Sequence, residues 1–161
     1  MTGPGYDLLV GLHVLSAVVG FGAVGVSGTY AARARSAGEP HKDPAVQRFF
    51  HPSTNWAERC LLLTPALGLV VLWAGDHSAV SQIWPWTGLA CWVLAAAIAT
   101  GSCWPAERRI QIWLAGAPSS EATWSTGLVE FREACRVLER GASAVSLCFL
   151  AAVVVMIWQP R

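Results

Sequence analysis

Charge is what this sequence has least of. Only 13% of its 161 residues are charged, 11 basic and 10 acidic, and the formal net charge is +1. Ordinary soluble domains carry about 25% charged residues. A balance this thin offers no basic surface for nucleic acid, so that class of partner is excluded. Cysteine is sparse and unpatterned. Cys60, Cys91, Cys103, Cys135 and Cys148 are odd in number and none has C-x-x-C spacing, which indicates neither a disulfide framework nor a zinc site. Methionine is limited to Met1 and Met156, whereas a copper path prefers clustered Met, His or Cys. Lysine occurs once, at Lys42, against ten arginines. With the richness in alanine and glycine, that bias points to a high-GC bacterial genome. No low-complexity tract is present.

What the chain has in quantity is apolar length. Hydrophobic residues make up 54%, and the size allows one domain. A helix needs about 20 apolar residues to cross the hydrocarbon of a bilayer. Four segments qualify, at about 6–32, 57–75, 86–104 and 141–158, within a single domain covering 1–161. The fold class expected is therefore all-α, a polytopic membrane protein with four transmembrane helices. Pro4 and Asp7 suit the start of the first span. Gly75 and Asp76 end the second, Pro85 opens the third, and Pro105 and Pro160 follow the third and fourth. A cleaved signal peptide is the competing reading of the first span. It is disfavoured because no Lys or Arg precedes the run, which exceeds the 7–15 residues of a signal core.

The few positive charges are placed on one side. Arg33, Arg35, Lys42, Arg48 and Arg59 fall in the first loop, and Arg108, Arg109, Arg132, Arg136 and Arg140 in the third. The second loop, "DHSAVSQIWP", has none, and only Arg161 lies beyond the fourth span. The positive-inside rule then puts loops one and three in the cytoplasm and both termini outside. Trp73, Trp84, Trp86 and Trp158 would mark the outer interface, and Trp56, Trp104 and Trp113 the inner one. The localisation that follows is a bacterial plasma membrane, crossed several times, with lipid as the immediate partner.

Two stretches align before spans two and four: "FHPSTNWAER" at 50–59 and "FREACRVLER" at 131–140, both F-x7-E-R. They suggest a parallel repeat of two helical hairpins about an axis along the membrane normal. Adjacent residues on a helix do not face each other, so Glu58 would meet Arg140 and Glu139 would meet Arg59 across such an axis. The alternative is four solvated interface residues, with the arginines snorkelling to phosphates. In loop three, Leu128, Phe131, Cys135 and Leu138 recur at helical spacing, which starts the fourth helix near Thr126; "RRIQIWL" extends the third. Loop one, with Pro40, Pro44 and Pro52, reads as turns and a short helix.

His13 is the one histidine inside a span. At 100° per residue it shares a face with Ser16, Ala17, Gly20, Val24, Ser27 and Gly28, a small and polar stripe suited to close helix approach and interhelical hydrogen bonds. Gly11, Gly22, Gly25 and Thr29 lie on roughly the opposite face. One small face suits the chain's own bundle and the other a partner protein. An ionisable group in a membrane is a functional candidate by default. No carboxylate lies at depth to make a proton relay with His13, and His41, His51 and His77 fall in loops. A structural histidine and a haem or copper ligand are the two readings.

"YDLLVGLHVLSAVVGFG", "LLLTPALGLVVL", "PAERRI" and a last span ending in Trp-Gln-Pro together resemble the four-helix bacterial "predicted integral membrane protein" family of unknown function. That family is similar in layout to the copper-resistance D proteins and to the haem-binding bacterial protoporphyrinogen oxidases. The resemblance implies one carry-over, His13 as a haem axial ligand. The second histidine of the haem-binding relatives, expected late in the third span, has no counterpart in "ATGSCWP". Relatives often carry tryptophan where this chain has Gly20.

The functional expectation is a non-catalytic accessory or structural subunit of a larger membrane complex, of the respiratory cytochrome kind. Its partners would be other integral membrane subunits, and no catalytic residue, metal site or cofactor is assigned. The alternative is a haem- or copper-binding oxidoreductase using His13. A small transporter is a further alternative, disfavoured because no charge lines the midplane.

Overall fold

The structure is a computed structural model that describes residues 3–75, 81–116 and 121–158, with side chains from Gly127 onward in the last segment. Helix α1 runs Pro4–Ser36, with Asp7 in its first turn and Arg33 and Arg35 in its last, each sign placed where the helix dipole favours it. A 3₁₀ turn at Pro40–Lys42 leads to α2, Pro44–Phe49. The Asp43 carboxylate caps α2 by accepting from the Ala45 and Val46 amides at 2.9 and 3.4 Å. Helix α3 is Trp56–Arg59, followed by a 3₁₀ turn at Cys60–Leu62 and by α4, Thr64–Ala74. Helices α5, Ile83–Ile98, and α6, Trp104–Ala115, are joined by a π-turn at Ala99–Cys103. Helix α7 is Glu121–Trp158. No strand occurs among the described residues.

Three helical stretches are long and apolar enough to cross a membrane: Pro4–Ser36, Ile83–Ala115 and Gly127–Trp158. A fourth is reached when Trp56–Leu62 and Thr64–Ala74, bent by 41°, are counted together. The chain is thus an all-helical protein with the make-up of a multi-pass membrane protein. The second span departs from the continuous helix expected at 57–75. The cause is Pro65, which has no amide hydrogen to donate and whose ring collides with the carbonyl four residues back. The fourth helix starts at Glu121 rather than near Thr126, and no proline falls between Glu121 and Trp158 to stop it. The two F-x7-E-R stretches differ in backbone. Residues 131–140 lie inside α7, whereas 51–55 are irregular before α3 begins. Asp76, His77, Pro160 and Arg161 lie outside the described residues.

The chain divides into two compact units. One comprises Met1–Ala23, Asn55–Ala96 and Val145–Arg161. Phe21 stacks on Phe149 at 4.8 Å between ring centroids, and Leu61 and Ala95 are fully buried. Its outer surface is apolar: Trp73 is 77% exposed, Leu147 67% and Ile157 80%. Water would not tolerate such a surface on a soluble monomer, whereas lipid tails match it. The other unit comprises Val24–Thr54 and Ala97–Ala144. Here Tyr30 stacks on Phe49 at 4.1 Å, and Trp113 packs on Phe131 at 4.3 Å. Ion pairs accompany the rings: Arg33 with Asp43 at 2.8 Å, Arg35 with Glu139 at 3.0 Å. Gly28 of α1 lies hard against α7, since a Cβ there would stand 2.5 Å from that of Ala142.

Candidate functional site

The bend between Trp56–Leu62 and Thr64–Ala74 brings together His13, Ser16, Thr64 and Trp92. Because Pro65 cannot donate to Leu61, the chain tightens into a 3₁₀ turn, with the Leu63 amide bonding the Cys60 carbonyl at 3.0 Å. The Leu61 carbonyl, buried and deprived of its helical donor, accepts instead from the Trp92 indole N–H at 2.8 Å. Within a bilayer no water could serve that role, and each unsatisfied carbonyl costs several kcal/mol.

His13 closes the same break from α1. Its Nδ1 lies 2.9 Å from the Thr64 carbonyl oxygen. A carbonyl only accepts, so Nδ1 carries the hydrogen of this bond, and Nε2 is the ring nitrogen not used in it. Ser16 donates to the His13 carbonyl at 2.8 Å, and its Oγ lies 3.4 Å from Thr64 Oγ1. The imidazole lies over Gly68, where a Cβ would come within 3.0 Å of Cε1. Gly20, further along the same face of α1, meets the turn itself: a Cβ there would be 2.6 Å from Leu61 Cα. The backbones touch because position 20 has no side chain.

The remaining residues singled out from sequence are placed as follows. Gly11 and Gly22 face open space, with nothing within 4 Å of a Cβ, and Thr29 is exposed. Gly25 is half-buried and its carbonyl accepts from Thr29 Oγ1 at 3.2 Å. Glu58 is 2% exposed and therefore not a solvated interface residue. Glu139 is held by Arg35, a residue outside both F-x7-E-R stretches. Arg59 is half-buried and Arg140 exposed. His41 sits in the 3₁₀ turn at Pro40–Lys42 and His51 is exposed in the following loop. Among the described residues no group of three or more His, Cys, Asp and Glu side chains could hold a metal ion. Thr64, Pro65, Gly68 and Trp92 carry no motif that marks them as site residues, although a Thr-Pro inside an apolar run is a helix-break signal.

The class this defines is an all-helical protein with the make-up of a multi-pass membrane protein, with three long apolar helices and an apolar helix pair bent at Pro65. Comparison with known protein families, with curated proteins and with solved structures yields no significant match.

Proposed function

We propose that this chain is a non-catalytic accessory subunit of a larger assembly in a bacterial plasma membrane, of the respiratory kind, with both termini outside. The observation that carries the reading is the contrast between the two faces of α1. Ser16, Thr64 and the Nδ1–H of His13 are spent on closing the helix break, while Gly11 and Gly22 on the other face leave room for a helix to approach. Purification in mild detergent followed by mass spectrometry should recover stoichiometric membrane partners. Gly22→Leu should abolish that recovery without lowering the melting temperature of the isolated chain; unchanged recovery would remove the support for a partner on this face. The orientation rests on the arginine asymmetry. A cysteine introduced at Ser78 should be labelled in intact cells and one at Ser119 should not, both positions lying outside the described residues.

A second reading is favoured by the hydrogen bond of His13 Nδ1. Metal-ligating histidines commonly donate their other ring N–H to a carbonyl, and the bond to Thr64 supplies that arrangement. His13 Nε2 would then serve as one axial ligand of haem, or as a copper ligand. The third-span stretch Thr100–Cys103 offers no second histidine. A Soret band in the purified protein that shifts on His13→Ala would establish this reading in place of the first.

A further inference from the structure

Ten arginines against one lysine is an uneven choice of cation, and the structure separates those held internally from those that are not. Arg33, Arg35, Lys42 and Arg136 are paired with Asp43, Glu139, Glu39 and Glu133. Arg108 and Arg109 on α6, and Arg132 and Arg140 on α7, are exposed and make no ion pair among the described residues. Exposed apolar side chains stand among them, with Glu130 and Glu133 exposed beside Arg132. On α6, Ile112 lies one turn beyond Arg108 and Arg109 and is 60% exposed. On α7, Val129 lies one turn before Arg132 and Glu133 and is 65% exposed. In sequence, Arg108 comes four residues after the apolar run 86–104, and Arg140 immediately precedes the run 141–158. Arg108, Arg109 and Arg140 thus stand at the ends of hydrocarbon-length segments, the depth of lipid phosphates, and Arg132 lies about two turns further out, beside Val129.

We propose that Arg108, Arg109, Arg132 and Arg140 form a binding surface for the headgroups of anionic diacyl phospholipids. Guanidinium is the cation best matched to a phosphodiester. Its planar fork takes two phosphate oxygens at once and stays charged, and it gives up hydration more readily than ammonium. Exposed apolar neighbours such as Ile112 and Val129 cover the glycerol and upper acyl region, which free phosphate lacks. The surface is independent of the accessory-subunit reading, since lipid would occupy it with or without a partner protein.

The test reconstitutes the full chain in phosphatidylcholine vesicles. Tryptophan quenching is then compared between brominated phosphatidylglycerol and brominated phosphatidylcholine as the minor component. Each basic residue near a membrane surface contributes about 1 kcal/mol toward anionic lipid, a factor of about five, so the native chain should favour phosphatidylglycerol at least about fivefold at low salt. That preference should shrink as NaCl is raised, and inorganic phosphate should have no effect beyond its ionic strength. The R108Q/R109Q/R132Q/R140Q variant should lose the preference yet be quenched normally by brominated phosphatidylcholine, which shows that it is inserted. Equal quenching of the native chain by the two lipids would overturn the proposal. So would a preference that survives in the inserted variant, or specific displacement by inorganic phosphate. If that variant fails to insert, R108Q/R109Q and R132Q/R140Q are each scored alone, and no loss of preference in either inserted pair also overturns it.

Discussion

Two prolines interrupt two apolar helices, and the chain deals with them in opposite ways. At Pro65 the backbone tightens: the Cys60–Leu62 turn is 3₁₀, the axis bends by 41°, and the stranded Leu61 carbonyl is supplied by Trp92 from another helix. At Pro105 the backbone widens. The π-turn Ala99–Cys103 lets the Trp104 amide reach back to the Ala99 carbonyl, and the helix carries on from Ile83 to Ala115. A tightened turn exports its unsatisfied carbonyl and so depends on a donor elsewhere in the fold. A widened turn bonds locally, and its exposed Gly101 has open space where a side chain would stand. The tight turn takes its missing donor from another helix and the wide turn from its own backbone, and substitutions should tell them apart.

The largest difference should come from filling the two turns. Gly20→Leu sets a side chain against the Leu61 backbone, which cannot rotate away as a side chain can. Overpacking costs 1–3 kcal/mol and occasionally more, and here the upper end, about 3 kcal/mol, is expected in thermal or denaturant melts in detergent. Gly101→Leu at the wide turn has open space around it and should leave melting nearly unchanged. Equal effects would erase the distinction between the breaks.

Next in size is the borrowed donor. Trp92→Phe keeps an aromatic ring and deletes the N–H, leaving a buried carbonyl unsatisfied at a cost of about 1–3 kcal/mol. In a Pro65→Ala background the new amide can bond Leu61 within the helix, and Trp92→Phe should then cost little. A double-mutant cycle measures the coupling; additive effects would mean that the indole bond is not a response to the proline.

These contrasts explain what was legible in the sequence. Apolar length depends on composition alone, so the helical class and the three long apolar helices are readable. The face carrying His13, Ser16, Gly20, Ser27 and Gly28 is readable because helical phase follows from residue order, and Gly20, Ser27 and Gly28 are buried along it. The geometry of the break is hidden because an average over some 20 residues is barely moved by one proline and is blind to its lost donor. The partner of the freed carbonyl lies 31 residues away, and that of Glu139 lies 104 away. Such meetings are products of packing, with no local signal.

Smaller again is the second support of the tight turn. His13→Ala removes the Nδ1–H bond to Thr64 and should lower stability by about 0.6–2 kcal/mol, the range for hydrogen bonds between membrane helices. His13→Asn, which keeps a donor at short reach, should recover part of it if the role is to close the break. No recovery would favour a demand for the imidazole itself.

The smallest expected effect lies outside both breaks and serves as their control. Arg33 hydrogen-bonds the Asp43 carboxylate and holds its pKa below the usual value, helped by the Ala45 and Val46 amides and opposed by desolvation. A depressed folded pKa contributes stability that is present in full above the unfolded value, near 3.9, and is lost as pH falls through the folded one. From neutral pH down to about 4 the cap of α2 should therefore be unchanged, and below that it should loosen. Hydrogen exchange at the Ala45 and Val46 amides, corrected for intrinsic rates, reads this directly. Protection should fall only at the acid end, and Asp43→Asn, a competent cap without the charge, should flatten the response. The turn at Cys60–Leu62 has no part in the Arg33–Asp43 pair, so an acid response confined to the cap of α2 should leave the amides of α4 protected. If α4 and α2 lose protection together, the acid transition is global, and the Arg33–Asp43 pair is not its local trigger.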